Sequence, residues 1–437
     1  MKQINLGLIG FGTVGSKAVE LIQLNKHAIS QKIGAEPVFK YCCDINTKKL
    51  SQYKSLLGKQ CILTSSWEKV VADPSVNIVI ELIGGKELAY KIITESIKQK
   101  KHIVTANKAL LSEYWDTLFT LARVHKSLIY FEAAVGAGIP IIEALNEGLA
   151  GNKISQIAGI LNGTTNYILT QMFERSIDFD IALKNARKSG FAETDPSLDI
   201  NGFDTAHKLS ILSSIAFSNW IKPDSFYIEG IQNIRLIDIK YAHEQFGYKI
   251  KLLGIAKQVN NKVLLEVRPY LIAGQHQFSS VNNEFNAILV DGNACGEIMF
   301  YGKGAGGYPA ASAVVSDIIF LARQIANKIA GNVPYVAYDQ TRKIELIHSF
   351  NTEGKFYLRF IAEDKPGVLS KIADILAKHK VSIAGVYQKE NISAKRRGGV
   401  PLILITHNVL EKAVRKSIEQ IALLPVIKSK TVLNKIK

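Results

Sequence analysis

Apolar positions along the chain change their period twice, and the changes mark out three regions. In the first, QINLGLI (3–9), VFKYCCD (38–44), VNIVIEL (76–82), HIVTA (102–106) and SLIYFEA (127–133) are nearly continuous apolar runs of strand length, separated by helical segments. Such runs predict a mostly parallel sheet covered by helices. From about residue 136 the texture differs. Residues 141–149 read as helix, SQIAGI (155–160) as strand, and a helix is expected to begin near Asn166. Over 204–217, Leu209, Leu212 and Ala216 recur at i, i+3, i+7, the period of a helix with one buried side. KVLLEVRPYLI (262–272), NAILVDG (286–292) and GEIMFYG (296–302) predict strands of a second, mixed sheet, and 311–330 one long helix that returns to the first region. After residue 354, the strand KFYLRFIAED, a helix over 367–380, the strands VSIAGVYQKE and PLILITH, a helix over 410–421 and the strand VIKSKTVLNKI follow. That β-α-β-β-α-β order is ferredoxin-like. The expected fold is α/β, with an open parallel-sheet domain over 1–135, a central α+β domain over 136–330, a linker over 331–353 and a ferredoxin-like domain over 354–437.

A chain of 437 residues needs two to four cores. It lacks the basic and apolar pattern of a signal peptide and any uncharged stretch of bilayer length, so a soluble, cytoplasmic protein without a membrane partner is expected. Cys42, Cys43, Cys61 and Cys295 form no Cys-x-x-Cys pair and no zinc-type cluster with histidine. The net charge of +16 draws heavily on residues 353–437, which hold 17 Lys/Arg against 7 Asp/Glu. These charges are spread over helices and strand ends, and only Lys395, Arg396 and Arg397 are dense. They read as attraction for anionic nucleotides and carboxylate substrates rather than for nucleic acid.

Gly10-Phe11-Gly12-Thr13-Val14-Gly15 follows the first strand and opens a helix. In that context G-x-G-x-x-G is a dinucleotide fingerprint, and the first domain is expected to be of the Rossmann type. Gly10 allows the tight turn, Gly12 lets a pyrophosphate approach, and Gly15 lets the helix pack on the sheet. Asp44, 29 residues past Gly15 at the end of the next strand, is placed to accept from ribose hydroxyls and favours NAD. Lys48 and Lys49 lie where a 2′-phosphate would sit, so the choice between NAD and NADP stays open.

Three further segments carry convergent polar groups. Thr105-Ala106-Asn107-Lys108 leaves the carboxyl end of a parallel strand, where ligands bind, and Lys108 is expected to face the nicotinamide. Asn162-Gly163-Thr164-Thr165-Asn166 sits at a strand-to-helix junction, where it either caps the helix or holds a substrate carboxylate or amino group. AETDPSLDINGFDTAHKL (192–209) brings Glu193, Asp195, Asp199 and Asp204 close to Lys208, and Asp204 and Lys208 share a helix face. Four acids in twelve residues imply a substrate bearing an ammonium. His207 points about 100° away from Lys208 and reads as a packing or supporting residue.

GFGTVG near the start, VTANKAL (104–110), EAAVGAGIPII (132–142), GILNGTTNYIL (159–169), AETDPSLDINGFDTAHKL (192–209) and GKGAGGYPAASAVVSD (302–317) together resemble homoserine dehydrogenase. DKPGVL (364–369) resembles the ACT domain often fused to that enzyme, and no aspartate-kinase-like segment precedes the resemblance. It implies NAD(P)H-dependent, reversible reduction of L-aspartate 4-semialdehyde to L-homoserine, in threonine, methionine and isoleucine biosynthesis. By resemblance Lys208 is the proton donor and Lys108 a second lysine touching cofactor and substrate. Glu193, Asp199 and Asp204 bind the substrate, with Gly163, Thr164 and Gly190 lining its pocket. Thr105 and Gly304 join the cofactor site. A monovalent cation, sodium, is implied at the backbone carbonyls of Glu132, Val135, Ala137 and Ile139; many relatives have glycine where this chain has Ala137. The resemblance further implies a homo-oligomer, dimer or tetramer, with the central domain dimerising. Asp364, Pro366, Gly367 and Leu369 would form a regulatory amino-acid site, L-threonine being the leading effector.

Other classes remain. A semialdehyde dehydrogenase forming an acyl phosphate needs a nucleophilic cysteine, and Cys295 is the sole candidate outside the first domain. A different amino-acid dehydrogenase with an ACT unit fits the same physics. A catalytically silent nucleotide- and amino-acid-sensing regulator is disfavoured by Lys108, Glu193, Asp204 and Lys208 occurring together.

Overall fold

The five apolar runs of the first region, joined by an unexpected strand over 62–64, form six parallel strands, β1 (Gln3–Ile9), β2 (Glu36–Cys43), β3 (Ile62–Thr64), β4 (Ile78–Glu81), β5 (His102–Thr105) and β6 (Ile129–Tyr130), in the order β3-β2-β1-β4-β5-β6. In this computed structural model residues 2–337, 344–388 and 399–437 are described, and they fall into two units. The six strands belong to the first, made of Met1–Ile157, His207–Ser225 and Phe285–Lys343. Ile9 pairs with Glu81 and Glu81 with Thr105, so the loops after β1, β4 and β5 leave the sheet at one edge. The strand order reverses between β1 and β4, and the crevice at such a reversal is where open α/β sheets bind ligands.

The helix Gly307–Ala326 packs on this sheet, with Val314, Ile318 and Leu321 in one core with Ile4, Leu6, Leu8 and Val19. It starts four residues before the expected 311 because Gly306, at φ 120°, turns the chain and Pro309 is tolerated in a first turn. It stops at Ala326, short of the expected 330, where Lys328 turns left-handed. Length and composition alone would suit a bilayer, but the helix is half buried in this unit. SLIYFEA yields only the two-residue β6. The Glu132 N–H donates to Asp317 Oδ2 at 2.9 Å instead of to a ladder, and a 3-10 turn follows over Glu132–Ala134. The expected helix over 141–149 begins as Ile141–Glu143 and widens into a π turn over Ala144–Gly148.

The second unit comprises Ala158–Ala206, Phe226–Glu284 and Ile344–Lys437. Its spine is a hairpin of two twelve-residue strands, Tyr248–Val259 and Lys262–Ala273. The last strand of the chain, Val432–Ile436, pairs parallel with Lys262–Ala273 and antiparallel with Glu353–Ala362. Val400–Thr406 and Ile383–Tyr387 complete the sheet, so the C-terminal βαββαβ module continues the central sheet. Residues 345–353, expected as linker, instead hold the strand Glu345–Ile347 on Lys262–Ala273 and a 3-10 turn. Lys395, Arg396 and Arg397 lie outside the described residues.

Buried ions tie the module to the hairpin. Arg268, fully buried in mid-strand, places Nη1 2.7 Å from Glu411 Oε2 and 3.5 Å from Glu266. Lys435 reaches Glu266 at 3.0 Å. Arg359 and Tyr357 meet Asp238 Oδ1, on the helix Leu236–Phe246, at 2.7 and 3.0 Å.

Candidate active site

In the first unit the fingerprint loop is built as the glycines require. Gly10 has φ 100°, and a Cβ on Gly15 would lie 2.3 Å from the Gly10 carbonyl oxygen. A Cβ on Gly12 would meet nothing within 4 Å, which leaves that side of the loop open. The helix Thr13–Leu24 has no side-chain cap, and neither has Gly307–Ala326. A Cβ on Gly307 would sit 3.0 Å from Thr13 Cγ2, so the two helix amino termini adjoin and present amide hydrogens to an anion. Gly304, in the loop before the second helix, packs on the buried amide of Asn286, leaving no room for a Cβ. This backbone cradle fits a dinucleotide.

Some residues expected at the cofactor also make contacts within the fold. The Phe11 ring is buried in the sheet core, edge-on to Tyr53 at 4.9 Å, and Val14 packs against that core, while Thr13 is exposed. Phe11 is thus a packing residue, because a ring following a turn glycine falls back onto the sheet. Asp44 accepts the Phe11 N–H at 2.6 Å and the Asn46 N–H at 2.8 Å, tying the end of β2 to the fingerprint. Lys48 is exposed.

Glu81 was not anticipated. It ends β4 fully buried and accepts from the Thr105 hydroxyl at 2.6 Å and from the Ile83 N–H at 2.9 Å. Burial raises its pKa against those hydrogen bonds. The Thr105 oxygen in turn accepts the Asn107 N–H at 3.1 Å, and the Asn107 amide donates to Gly85 O at 2.6 Å while capping the helix Lys108–Val124. Thr105 is completely buried, so its side chain supports the loop that carries half-buried Lys108. A lone glutamate closing the apolar run VNIVIEL was the available signal.

In the second unit Asn162 caps the helix Gly163–Arg175, and its amide donates to Asp199 Oδ1 at 2.7 Å and Asp204 Oδ2 at 2.9 Å. A Cβ on Gly163 would fall 2.7 Å from the Glu284 carbonyl oxygen, so only glycine fits. The Thr164 hydroxyl donates to Phe191 O at 2.6 Å, fixing the acidic segment against this helix. The four acids do not form one group. Asp199 and Asp204 are brought together, Asp195 accepts from Ser197 in a local turn, and Glu193 is exposed. Gly190 is exposed and left-handed, at φ 75°. The helix Phe203–Ala216 runs on past Ala206 into the residues of the first unit, and Lys208, one turn beyond Asp204 along it, is 8% exposed.

Residues 132–139 form a tight turn with Gly136 at φ 76° and Ala137 at φ 44°. The Ala137 conformation is one that glycine adopts without strain. The side chain of Glu132 accepts the Ile142 and Glu143 N–H groups at 2.9 and 2.7 Å, and its carboxyl is pushed up to about 7, chiefly by burial. In the same turn the Ile139 carbonyl accepts the Ile141 N–H at 2.8 Å and the Glu132 carbonyl the Val135 N–H at 3.4 Å. Among the described residues no cluster of His, Cys, Asp and Glu could hold a metal.

Cys42, Cys43 and Cys61 are buried; burial pushes Cys43 and Cys61 up to about 11 and Cys42 further. Thiols so protonated are poor nucleophiles. Cys295 is exposed in the hairpin turn between Phe285–Gly292 and Gly296–Lys303. In the C-terminal module a cavity of about 180 Å³ is lined by residues 362–369, Gln388, Val400 and Leu402. Gly367 starts the helix Val368–Lys378 at φ 85°, and Gln388 donates to Asp364 at 3.2 Å.

Three family models match: "Homoserine dehydrogenase, NAD binding domain" over residues 10–132, "Homoserine dehydrogenase" over 140–319 and "ACT domain" over 356–422. A homoserine dehydrogenase of Neisseria gonorrhoeae is 40% identical over 96% of this chain and 95% of its own length. One from Pseudomonas aeruginosa is 36% identical over 96% and 95%. The crystal structure of a homoserine dehydrogenase from Thiobacillus denitrificans superposes with a TM-score of 0.92 at 39% identity, covering 100% of this chain and 99% of that one.

Proposed function

The chain belongs to the homoserine dehydrogenase family, an NAD-binding oxidoreductase with a C-terminal ACT domain, and we propose how its residues divide the reaction. The substrates are L-homoserine and L-aspartate 4-semialdehyde, interconverted on the route to threonine, methionine and isoleucine. Asp199 and Asp204 receive the substrate ammonium, with Glu193 at the exposed end of the same segment and Gly163, Thr164 and Gly190 shaping the pocket. A nicotinamide cofactor held by the Gly10–Gly15 loop would supply hydride chemistry at the aldehyde carbon. The Lys208 ammonium gives its proton to the carbonyl oxygen as charge develops there, and takes it back from the hydroxyl in the reverse direction. Lys108, held by the Glu81–Thr105–Asn107 chain, orients the reacting groups. The backbone carbonyls of Glu132, Val135, Ala137 and Ile139 would hold sodium as a structural ion.

The observation that carries this reading is that Asp199 and Asp204 both accept from the Asn162 amide, with Lys208 one turn further along the same helix as Asp204. Its test is an assay of the purified chain with L-homoserine and each oxidised cofactor, following the reduced form by absorbance. Absence of reduction with both would refute it.

Cofactor preference is expected to depend on Asp44. Each carboxylate oxygen keeps a lone pair after binding its amide, so ribose hydroxyls can still be accepted and a 2′-phosphate is repelled. In Asp44→Ser the preference for NAD over NADP should narrow or reverse, by about tenfold for one lost charge-assisted contact. Equal kcat/KM ratios in both proteins would show that Asp44 does not face the ribose.

The ACT domain is proposed to bind an amino acid, L-threonine first, at the cavity beside Asp364, Pro366, Gly367 and Leu369, in a dimer or tetramer. Removing the module is a poor test, because Val432–Ile436 pairs with the central strand Lys262–Ala273. Leu369→Glu instead places a carboxylate at the cavity rim, where it repels the effector carboxylate. Threonine should inhibit the wild type, and the variant should escape inhibition with unchanged homoserine kinetics. A wild type indifferent to threonine would refute this assignment.

A further inference from the structure

Asn162 is 4% exposed and uses its whole side chain. Its Oδ1 accepts the Thr165 N–H at 2.8 Å and the Thr165 hydroxyl at 2.9 Å. Its amide nitrogen spends one hydrogen on Asp199 Oδ1 at 2.7 Å and the other on Asp204 Oδ2 at 2.9 Å. The orientation of the amide is set by the network. A backbone N–H can only donate, so the oxygen must face the helix and the NH₂ must face the acids.

The two carboxylates come from consecutive elements, the four-residue helix Ser197–Ile200 and the helix Phe203–Ala216, and the Asn162 amide is a contact they share from outside this segment. Carboxylates this close repel each other. A neutral double donor between them offsets the repulsion and leaves both negative charges in place for an incoming cation. An arginine or lysine at the same position would neutralise that charge. An aspartate or serine would cap the helix equally well but would lack the two-pronged donor.

We propose that Asn162 is a positioning residue for the reaction: it sets the spacing of Asp199 and Asp204 so that together they receive the ammonium of the amino-acid substrate. This rests on the reading of the chain as a dehydrogenase of homoserine.

Asn, Asp and Ser cap helices about equally. If capping were the whole role of Asn162, Asn162→Ser and Asn162→Asp in the full chain would keep wild-type kinetics. As a positioning residue, its loss in Asn162→Ser should raise the KM for homoserine about 10- to 100-fold with kcat changed by less than about threefold, the pattern of lost binding common to ground and transition states. Asn162→Asp, which adds a third carboxylate, should raise it further. The affinity for NAD(P), read by fluorescence titration, should stay at the wild-type value in both, and circular dichroism melts confirm folding. If the aspartate variant does not fold, the serine variant decides alone. A folded Asn162→Ser with wild-type KM overturns the proposal while an active wild type keeps the functional reading. A wild type inert toward homoserine overturns that reading and the proposal with it.

Discussion

Lys208→Ala is expected to lower kcat with homoserine by about three orders of magnitude while NAD(P) binding persists, the range of a positioned general acid–base group. Lys208 is 8% exposed and sits on the helix that carries Asp204 one turn earlier. Its sequence position is remote from the fingerprint loop and from both uncapped helix termini that would hold the cofactor. The interaction removed is made chiefly in the transition state, where charge builds on the carbonyl oxygen. Loss should therefore appear equally in kcat and kcat/KM, with KM little changed. Lys208→Arg keeps the charge but holds its proton too tightly to rescue turnover. Steady-state kinetics with a parallel cofactor titration decide the matter, and a variant retaining a tenth of wild-type kcat would remove Lys208 from the proton-transfer step.

The second large effect concerns stability. In Glu411→Ala the guanidinium of Arg268, wholly buried on the strand Lys262–Ala273, loses its 2.7 Å partner and keeps only Glu266 at 3.5 Å, which Lys435 also claims. Breaking a buried pair by removing one partner costs about 3–5 kcal/mol, because a desolvated charge is left uncompensated. The denaturation midpoint of the second unit should fall accordingly. Replacing both partners, Arg268→Met with Glu411→Leu, should recover much of the loss, since no unpaired guanidinium is left buried and Glu266 keeps Lys435 at 3.0 Å. Urea titrations of the single and double variants measure this. An unchanged midpoint in Glu411→Ala, or a double variant worse than the single one, would show that the pair is not what holds the C-terminal module to the hairpin.

Buried arginine on a strand was not legible in advance, and the reason separates what the two levels of description contain. Elements whose signal is local are legible from the amino-acid order alone. A G-x-G-x-x-G after an apolar strand, the α/β rhythm of the first 135 residues and the βαββαβ order of the last 85 each depend on spacing and on turn chemistry within a few residues. The blocks around Lys108, Asn162 and Lys208 marked the candidate site on the same basis. The strand Tyr248–Val259 escaped because Lys249 and Lys251 interrupt its pattern. Lys251 is nevertheless buried, its ammonium held by Asn166 Oδ1 at 3.0 Å and by Val281 O, contacts contributed from far along the chain. The interior of 331–353 read as linker because three-residue strands are stabilised by the neighbour they pair with and not by their own residues. Which acids stand together was likewise undecided. Glu193, Asp195, Asp199 and Asp204 are equivalent in composition, and only the position of the Asn162 amide selects Asp199 and Asp204 as a pair. Glu81, Arg268 and Asp238 show the same limit: a polar residue within an apolar run has no reading until the partner that satisfies it is brought up by the fold, because burial makes that partner obligatory without revealing where in the chain it lies.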